Sequence, residues 1–563
     1  MPSAPSYLSG TTETPLLGET LGACLDRTAR DHPHGAALIS RHQDIRWTWR
    51  ELHERAERVA CGLLRMGLGV GDRVGIWAPN CAEWLLMQLG AAKAGVILVT
   101  INPAYRRSEV ETALNKVACK ALVLAASFKS SDYLAIINDL APELAGSAVG
   151  ALRSARLPHL CTVIRLGRGQ TPGMAPFDAL LAPPEAVEQE RLAAIAATLQ
   201  FDDPVNILFT SGTTGEPKGA TLTHHNIVNN AYFTGVALGF TEHDRVCIPL
   251  PLYHVFGMVA GNLACLMHGA TIVYPSEGFD AQGVLEAIHA ERCTTLYGVP
   301  TMFIAELAHP EFARYDLTSL RTGIMGGSPC PVEVMRQVAE RMHLPAMMIG
   351  YGMTETSPVS FQTALCDPFE RRVSTVGRVH PHLEIKIVDS EGRIVLRNQP
   401  GELCVRGYSV MRGYWHDAEK TAEVIDASRW MRTGDLATID EEGYCKIVGR
   451  SKDVVIRGGE NIYPREVEEF LHRHPQVQDV QCVGVPDVKF GEVVCACIIP
   501  KPGARINETD LRAFCEGEIA HYKVPTYFSF VKDFPMTVTG KIQKFVLRKE
   551  MEARFNVRTE VET

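Results

Sequence analysis

The sequence predicts an α/β protein: a large N-terminal domain of layered α/β subdomains with a β-rich subdomain, then a small α+β domain. Strands and helices alternate over 46–100 and again from 204, which is typical of parallel sheets covered by helices. Short β runs separated by turn signals fill 370–450, and a compact α+β pattern follows Arg450. With 563 residues, the chain exceeds the ~250–300 residues that one core supports. We therefore predict an N-terminal domain over 1–449, a junction at 450–452 and a C-terminal domain over 453–563.

The first α/β repeat begins with a predicted capping box formed by Thr48 and Glu51. Apolar residues then follow helical spacing until Gly67, a plausible helix stop. Three further elements complete the repeat: a strand at Arg73–Ala78, a helix at Cys81–Ala94 and a strand at Val96–Ile101.

Residues 150–200 contain proline and alanine clusters and are predicted to form loops and surface helices. Farther along, Pro464 is predicted at the first position of a helix, where its missing N–H costs nothing. His225–Leu238 is a further predicted helix. The other predicted strands are Pro204–Phe209, Val246–Pro249, Thr271–Tyr274, Thr294–Tyr297, Leu383–Val388, Gly401–Arg406, Tyr444–Val448, Val454–Ile456, Asp479–Val485 and Val493–Ile499.

Bulk composition excludes several function classes. The net charge of −9 argues against nucleic acid as the main partner. The longest apolar stretch, Trp84–Ile101, contains Gln88 and Lys93, so we expect no transmembrane segment. The 16 cysteines form no Cys-x-x-Cys pair, which fits a reducing compartment. Because Met1–Glu19 contains no arginine or lysine, we expect no transit peptide and a cytoplasmic protein.

A loop rich in glycine and hydroxyl residues directly follows the strand Pro204–Phe209. Glycines let the backbone approach an anion, and a lysine adds positive charge, so the loop suits a polyphosphate. The spacing is not that of a Walker A motif, because Gly219 rather than a serine or threonine follows Lys218. The predicted phosphate contacts are Thr210, Ser211, Gly212, Thr213, Thr214, Gly215 and Lys218.

Together with further motifs in the same order, this loop resembles the phosphate-binding signature of adenylate-forming enzymes. That superfamily includes acyl-CoA synthetases, peptide-synthetase adenylation domains and firefly-type luciferases. The resemblance extends from about residue 20 to 550 and is greatest to the medium-chain acyl-CoA synthetase branch. It implies ATP, Mg²⁺ and coenzyme A as cofactors.

The resemblance implies a role for each later motif. In Tyr351-Gly352-Met353-Thr354-Glu355, the tyrosine would pack on adenine, the threonine would contact the α-phosphate and the glutamate would hold Mg²⁺. Asp435 would accept hydrogen bonds from the ribose hydroxyls, and Arg450 would contact the ribose or a phosphate. The residues implied to line the nucleotide site in these later motifs are Gly327, Ser328, Tyr351, Gly352, Met353, Thr354, Asp435, Arg450 and Lys541.

Lys541 matches the catalytic lysine of the family. A lysine that touches the carboxylate and the α-phosphate would offset their repulsion. The resemblance further implies that the C-terminal domain rotates at Lys452 between adenylation and thioester formation. The loop Arg457-Gly458-Gly459 would then replace the Lys541 loop and admit the pantetheine arm of coenzyme A.

The acyl site is implied by Pro251–Gly257, where His254 would lie beside the carboxylate or gate the tunnel. Val255 follows at a position where amino-acid adenylating domains usually place an aspartate. The presence of valine there weakens the hypothesis that the substrate is an amino acid. The predicted acyl-site residues are His254, Val255, Phe256, Gly326, Gly327 and Met353, and the predicted catalytic group is Lys541, Thr354, Glu355 and His254.

Three hypotheses follow: a synthetase for medium-chain or longer fatty acids, a ligase for aromatic or other small acids, and a non-catalytic adenylate-binding protein. Lys541, Glu355 and Asp435 are all present, which argues against the third hypothesis. The first two hypotheses share almost every motif. The sequence does not determine the acyl chain length. It also leaves open whether the protein contacts a membrane peripherally and whether it is a monomer or a homodimer.

Overall fold

The computed structural model describes residues 4–210, 217–537 and 540–555. The α-helices are α1 (Leu21–Asp31), α2 (Trp49–Arg65), α3 (Ala82–Lys93), α4 (Arg107–Lys116), α5 (Tyr133–Leu140), α6 (Ala186–Ala196), α7 (His224–Leu238), α8 (Ala264–His268), α9 (Ala281–Glu291), α10 (Pro300–Leu307), α11 (Val332–Arg341), α12 (Phe369–Ser374), α13 (Ala418–Val424), α14 (Pro464–Leu471), α15 (Glu508–Cys515) and α16 (Lys544–Arg554).

The strands are β1 (Tyr7–Ser9), β2 (Ala36–Ser40), β3 (Ile45–Thr48), β4 (Arg73–Trp77), β5 (Ile97–Thr100), β6 (Ala121–Leu124), β7 (Ser127–Phe128), β8 (Ser131–Asp132), β9 (Thr162–Arg165), β10 (Ala175–Pro176), β11 (Pro204–Thr210), β12 (Lys218–Thr223), β13 (Arg245–Cys247), β14 (Thr271–Tyr274), β15 (Thr295–Gly298), β16 (Thr322–Gly326), β17 (Met347–Gly352), β18 (Val359–Gln362), β19 (Arg378–Val379), β20 (Leu383–Val388), β21 (Gly401–Gly407), β22 (Gly413–Tyr414), β23 (Met431–Ile439), β24 (Cys445–Arg450), β25 (Val455–Arg457), β26 (Glu460–Ile462), β27 (Val477–Asp487), β28 (Gly491–Pro500) and β29 (Tyr527–Phe530).

Two largely parallel sheets form the body of the main domain. Their strand orders are β10-β9-β6-β4-β5-β11-β12-β22 and β19-β18-β17-β16-β15-β13-β14-β2-β3. The predicted capping box is confirmed: the Thr48 hydroxyl accepts the Glu51 N–H at the start of α2. Helix α3 is buried over most of its surface, because it lies between other helices and the sheet.

The predicted β-rich subdomain is the antiparallel sheet β1-β20-β21-β23-β24. Its strands alternate between buried and partly exposed residues, as in β23, because one face packs on the core and the other faces outward. In this sheet Asp435 on β23 pairs in register with Arg450 at the end of β24.

The last sheet, β26-β25-β28-β27 with β29 beside β28, contains only residues after 454. Pro464 opens α14, as the sequence predicts. Cys495 and Cys497 are both buried on the same face of β28, with Leu547 and Met551 of α16. That face is therefore covered by the helix that follows the predicted catalytic lysine.

Two parts of the fold differ from expectation. Within 150–200, Thr162–Arg165 forms β9, a mostly buried strand of the first sheet, because three apolar or β-branched side chains suffice beside β6. Residues Phe256–Leu263 form a π-helix ahead of α8, a geometry that is rare and often found at functional sites. No helix in the described ranges is long and apolar enough to cross a membrane.

Candidate active site

The ends of the phosphate loop are held by adjacent strands. Thr210 closes β11 and Lys218 opens β12, and the two residues are register partners in an antiparallel pair. The Lys218 Nζ lies 5.1 Å from the centre of the Tyr414 ring, a cation–π contact. The predicted contacts Ser211, Gly212, Thr213, Thr214 and Gly215 lie outside the described residues. Thr210 and Lys218 thus mark where the loop leaves and rejoins the sheet.

Glu355 is a buried carboxylate that accepts hydrogen bonds from two hydroxyl groups. It lies in a short 3₁₀ turn, Thr354–Thr356, directly after β17. Its Oε1 accepts from Tyr414 Oη at 2.9 Å and from Thr210 Oγ1 at 3.3 Å. No ion pair to Glu355 occurs in the described part of the chain. Burying a carboxylate without a cation costs desolvation free energy. The oxygen atoms of Glu355 therefore suit a hard cation such as Mg²⁺.

Sequence reasoning missed Tyr414. It lies on the two-residue strand β22, which pairs with β12, and this pairing brings its hydroxyl to Glu355. Burial and the nearby Glu355 carboxylate raise its pKa, so the hydroxyl remains a donor. A single tyrosine after a glycine carries no sequence signal, because its role depends on the strand pairing.

The predicted adenine and ribose residues are brought together. Tyr351 Oη donates to Asp435 Oδ2 at 2.6 Å, and Arg450 Nε donates to Asp435 Oδ1 at 3.2 Å. The backbone N–H of Asp435 is held by Thr433 Oγ1 at 3.1 Å. Burial, followed by the charge of Asp435, raises the pKa of Tyr351 well above its usual value. Tyr351 therefore stays protonated and orients the carboxylate.

Gly327 lies against the side chain of Lys541. Its φ of +83° lies in the left-handed region, and a Cβ there would lie 3.4 Å from Lys541 Cε. Gly326, at the end of β16, faces Phe256, and its own Cβ would lie only 2.7 Å from the Gly350 carbonyl oxygen. Ser328 follows, partly buried. Gly326 is thus required by close backbone approach, and Gly327 is favoured by its positive φ.

Lys541 enters this site from the C-terminal domain. Its Nζ lies 3.5 Å from His254 Nε2. Burial lowers its pKa to about 8, Arg450 adds to that effect, and Glu355 and Asp435 oppose it. The lysine charge therefore interacts with the predicted ribose residues and with the predicted metal carboxylate at once.

His254 is a neutral residue in this arrangement. Burial lowers its pKa well below the usual value, and the charge of Lys541 lowers it further. Its Nδ1 accepts the backbone N–H of Phe256 at 3.2 Å, and its Nε2 faces the Lys541 Nζ. His254 thus contacts the reacting side of the site.

Two of the predicted acyl-site residues directly follow His254 in the chain. Val255 and Phe256 are buried, and Phe256 stacks on Tyr297 with ring centroids 5.8 Å apart. Met353 is partly buried at the end of β17, and its N–H donates to the Pro358 carbonyl. Tyr297 was not predicted, because an aromatic residue in a buried strand is an ordinary core residue by sequence.

The predicted coenzyme A loop lies apart from this cluster. Arg457 Nη1 donates to the Tyr522 carbonyl at 2.9 Å, and its guanidinium lies 4.6 Å from the Phe490 ring centre. Gly458 and Gly459 are exposed, with positive φ. Lys452 is exposed in the 3₁₀ turn Ser451–Asp453 between β24 and β25. The structure thus places Lys541, and not the Arg457 loop, at the site.

A separate cluster of carboxylates and a histidine lies on α1 and α2. Oxygen and nitrogen atoms of Asp26, His53 and Glu57 lie within 4.8 Å of one another. The buried Lys93 ammonium contacts Asp26 and lies 3.6 Å from Glu57, so these acids already have a cation. This cluster is an internal salt-bridge network.

Two family models match the chain: AMP-binding enzyme over residues 25–415 and AMP-binding enzyme C-terminal domain over 466–541. The chain belongs to the AMP-binding enzyme family. A zebrafish (Danio rerio) relative, the mitochondrial medium-chain acyl-CoA ligase ACSF2, is 48% identical over 98% of this chain and 91% of its own length. The Bacillus subtilis putative acyl-CoA synthetase YngI is 47% identical over 96% of this chain and 99% of its own.

Solved structures of related enzymes share the whole fold. The anthranilate CoA ligase AuaEII in complex with anthranoyl-AMP superposes with a TM-score of 0.84 at 27% identity, covering 97% of this chain and 99% of that one. ATP-bound MatB from Rhodopseudomonas palustris superposes with a TM-score of 0.79 at 29% identity, covering 96% and 100%. The predicted fold class, a large α/β domain with a smaller α+β domain, is confirmed.

Proposed function

We propose that this chain activates medium-chain fatty acids as an AMP-forming acyl-CoA synthetase that uses ATP, Mg²⁺ and coenzyme A. The observation that carries the proposal is the position of Lys541, partly buried beside His254 and within electrostatic reach of Glu355, Asp435 and Arg450. Relatives that cover nearly the whole chain support the activity, and the zebrafish name supports the medium-chain substrate.

The proposed first step joins the acid to AMP. A carboxylate oxygen of the fatty acid attacks the α-phosphorus of ATP, the bond to the β-phosphate oxygen breaks, and pyrophosphate leaves. Lys541 would lie between the two anions and offset their repulsion, and Thr354 would contact the α-phosphate. Mg²⁺, held by Glu355, would neutralise charge on the phosphate oxygens. The acyl carbon stays bonded to its oxygens throughout this step.

Binding of the nucleotide is assigned to groups of the main domain. Asp435 and Arg450 would hold the ribose, Tyr351 would pack on adenine, and the loop between Thr210 and Lys218 would hold the pyrophosphate moiety. The glycines at 327 and 352 would let the backbone approach the nucleotide closely. At Gly352 a Cβ would lie 1.7 Å from the Pro358 carbonyl oxygen, so only glycine fits at that position.

The proposed second step forms the thioester. The sulfur of coenzyme A, as thiolate, attacks the acyl carbon, the bond from that carbon to the AMP oxygen breaks, and AMP leaves. Rotation at Lys452 would carry the Lys541 loop away and bring Arg457, Gly458 and Gly459 to the site. The exposure of Lys452 and of both glycines supports this proposal, because a moving loop must be free of core contacts.

A second candidate is a ligase for aromatic acids. The complex of AuaEII with anthranoyl-AMP shows that this fold accommodates an aromatic acyl group at high structural similarity. In this chain the stacked rings of Phe256 and Tyr297 beside the predicted acyl site could flank a flat substrate. The two candidates differ in substrate and share every step.

The test is AMP release by the purified enzyme with octanoate, decanoate, benzoate and anthranilate, each at several concentrations with ATP, Mg²⁺ and coenzyme A. We expect kcat/KM to be highest for the medium-chain acids. An aromatic acid that far outpaces octanoate would replace the first candidate by the second. Absence of pyrophosphate release with every acid would instead support a non-catalytic adenylate-binding protein.

We further propose that the protein works in the cytoplasm, as a monomer or homodimer. All 16 cysteines are free in the structure, and most are buried, which suits a reducing compartment. Cell fractionation with compartment markers would test the location, and light scattering after size exclusion would give the oligomeric state. Accumulation in a membrane-enclosed compartment would contradict the first proposal.

A further inference from the structure

Three residues beyond Lys541, Lys544 begins α16 with a partly buried side chain. Its Nζ donates to Glu468 Oε1 at 2.5 Å and to the Cys482 carbonyl at 3.1 Å. The same Glu468 oxygen accepts the Cys482 N–H at 2.8 Å. One carboxylate oxygen and one residue of β27 therefore hold the ammonium, and the charge is both paired and hydrogen-bonded.

These contacts fix the downstream end of the loop that carries Lys541. The upstream end is fixed by two hydrogen bonds: the Thr537 N–H donates to the Lys541 carbonyl at 2.7 Å, and the Lys541 N–H donates to Thr537 Oγ1 at 3.1 Å. Ile542, between the two lysines, packs against a buried cluster that includes Leu547 of α16. The backbone of Lys541 is thus held from both sides, with the polar anchor on the Lys544 side.

Helix α14, which carries Glu468, also contacts the main domain. Arg465, one turn earlier, donates from Nη1 to the Ile447 carbonyl of β24 at 2.9 Å. Strand β24 ends at Arg450, which bonds to Asp435 in the predicted ribose site. The helix that anchors the lysine loop therefore rests on the strand that carries a nucleotide-site residue.

We propose that Lys544 and Glu468 are positioning residues for adenylation, which set the depth at which Lys541 Nζ enters the site. The proposal rests on the proposed function. Neither residue contacts a predicted substrate group, and both belong to the C-terminal domain, so their pairing persists when that domain rotates. Thioester formation, which uses the Arg457 loop, should not depend on the depth of Lys541.

The test measures the two half-reactions separately. Adenylation is followed by pyrophosphate release with octanoate, and thioester formation by acyl-CoA production from supplied octanoyl-adenylate and coenzyme A. We expect Lys544→Met to lower the kcat of adenylation about 100-fold with little change in the KM for ATP, since a 1 Å misplacement costs about that much. Thioester formation should stay within about threefold of wild type.

A double variant separates positioning from stability. Lys544→Met alone leaves Glu468 buried and unpaired, which destabilises the domain, and adding Glu468→Gln removes that charge. We expect the double variant to regain most of the melting temperature yet to keep the adenylation defect. Lys549→Met, an exposed lysine of the same helix, is the matched control and should leave both half-reactions unchanged.

Other outcomes would overturn the proposal. Equal loss of both half-reactions in the double variant, or recovery of adenylation together with stability, would show that the pair acts only on the fold. Full adenylation in Lys544→Met would show that the loop needs no anchor. A wild-type enzyme that releases no pyrophosphate would instead refute the proposed function, which distinguishes the two failures.

Discussion

The hydroxyl of Tyr351 lies 2.6 Å from Asp435 Oδ2, joining the end of β17 to β23. The two residues are 84 positions apart in the chain, and they come from motifs with separate implied roles, adenine packing and ribose binding. The bond holds the carboxylate in one orientation before the nucleotide arrives. In the proposed nucleotide site, ordering this acceptor in advance would lower the cost of binding the ribose hydroxyls.

Tyr351→Phe is therefore expected to raise the KM for ATP about tenfold, because a hydrogen bond to a charged group contributes ~1.5–3 kcal/mol. Pyrophosphate exchange measured against ATP concentration would show this. Tyr444→Phe is the matched control, since its hydroxyl donates to Asp367 at 2.6 Å away from the site. The control should lose stability with an unchanged KM, and an equal rise in both variants would contradict the assignment.

Lys541→Ala is expected to separate the two half-reactions. Loss of the ammonium removes the group that offsets repulsion between carboxylate and phosphate, so adenylation should fall at least 100-fold. Thioester formation from supplied acyl-adenylate should remain within about threefold of wild type, because the Arg457 loop serves that step. Parallel loss of both rates would refute the assignment of this lysine to adenylation alone.

The fall of the adenylation rate at alkaline pH, the alkaline limb of its pH profile, should reflect deprotonation of the same lysine. The pKa of Lys541 is about 8, so the charged form needed at the α-phosphate is lost as pH rises through that value. We expect kcat/KM to fall above about pH 8. In kcat the limb should lie higher, because the bound anions favour the charged lysine.

Lys541→Arg provides the control for that limb, since a guanidinium stays protonated at every accessible pH. The variant should be slower overall yet show no fall near pH 8. The measurement is the pH profile of pyrophosphate release from 6 to 10. An unchanged limb in the variant would assign the titration to another group.

Glu355→Gln is expected to raise the Mg²⁺ concentration needed for half-maximal adenylation by about 100-fold, because an amide lacks the charge that Mg²⁺ binds. Tyr414→Phe should give a smaller shift, since it removes one hydrogen bond to Glu355 and leaves the charge. Calorimetric titration of Mg²⁺-ATP into the protein gives a second readout. Glu333→Gln, on the exposed side of α11, should change neither quantity.

The burial of Glu306 should make the free energy of unfolding depend on pH, independently of the active site. It is 1% exposed on α10, its Oε2 has no hydrogen-bond partner among the residues that the structure describes, and burial raises its pKa well above the usual value. The unfolded chain releases this proton near pH 4, whereas the folded chain retains it to a much higher pH. Stability is therefore greatest below the unfolded pKa and falls as pH rises toward the folded pKa.

Glu306→Met removes that dependence while keeping a similar side-chain volume. The advantage of the variant over wild type should grow by ~1.4 kcal/mol for each pH unit between about 5 and the folded pKa. Urea unfolding at pH 5, 6.5 and 8 measures it. A constant difference across these values would mean that Glu306 does not titrate on unfolding.

Much of the fold could be predicted because it depends on local pattern. The capping box at Thr48, the strand Thr271–Tyr274 and the helix start at Pro464 follow from residue types at fixed spacing. The site residues Glu355, Asp435 and Lys541 came from resemblance, and the structure brings them together. Strand ends were one or two residues off, since the exact end depends on neighbours in the sheet.

What could not be predicted depends on contacts between distant segments. Tyr414 reaches Glu355 only because β22 pairs with β12, and Lys544 meets Glu468 only because α16 crosses β27. Glu306 lies in an apolar helix where a charged residue would be expected to face outward. The sequence also offered two candidate loops for one position, and the contacts of Lys541 with His254 and Gly327 show that the Lys541 loop occupies it.

Arg450 is the last residue of β24, and the turn that contains Lys452 begins immediately after it. The contacts of Asp435 with Tyr351 and Arg450 therefore lie entirely on the stationary side of the proposed pivot. While the two loops exchange, the AMP moiety of the acyl-adenylate would keep its contacts with the main domain. The residues around the acyl moiety would change. The acyl-adenylate, a mixed anhydride, would then stay bound between the two half-reactions. It would not be released into bulk water, where its hydrolysis would consume ATP without forming product.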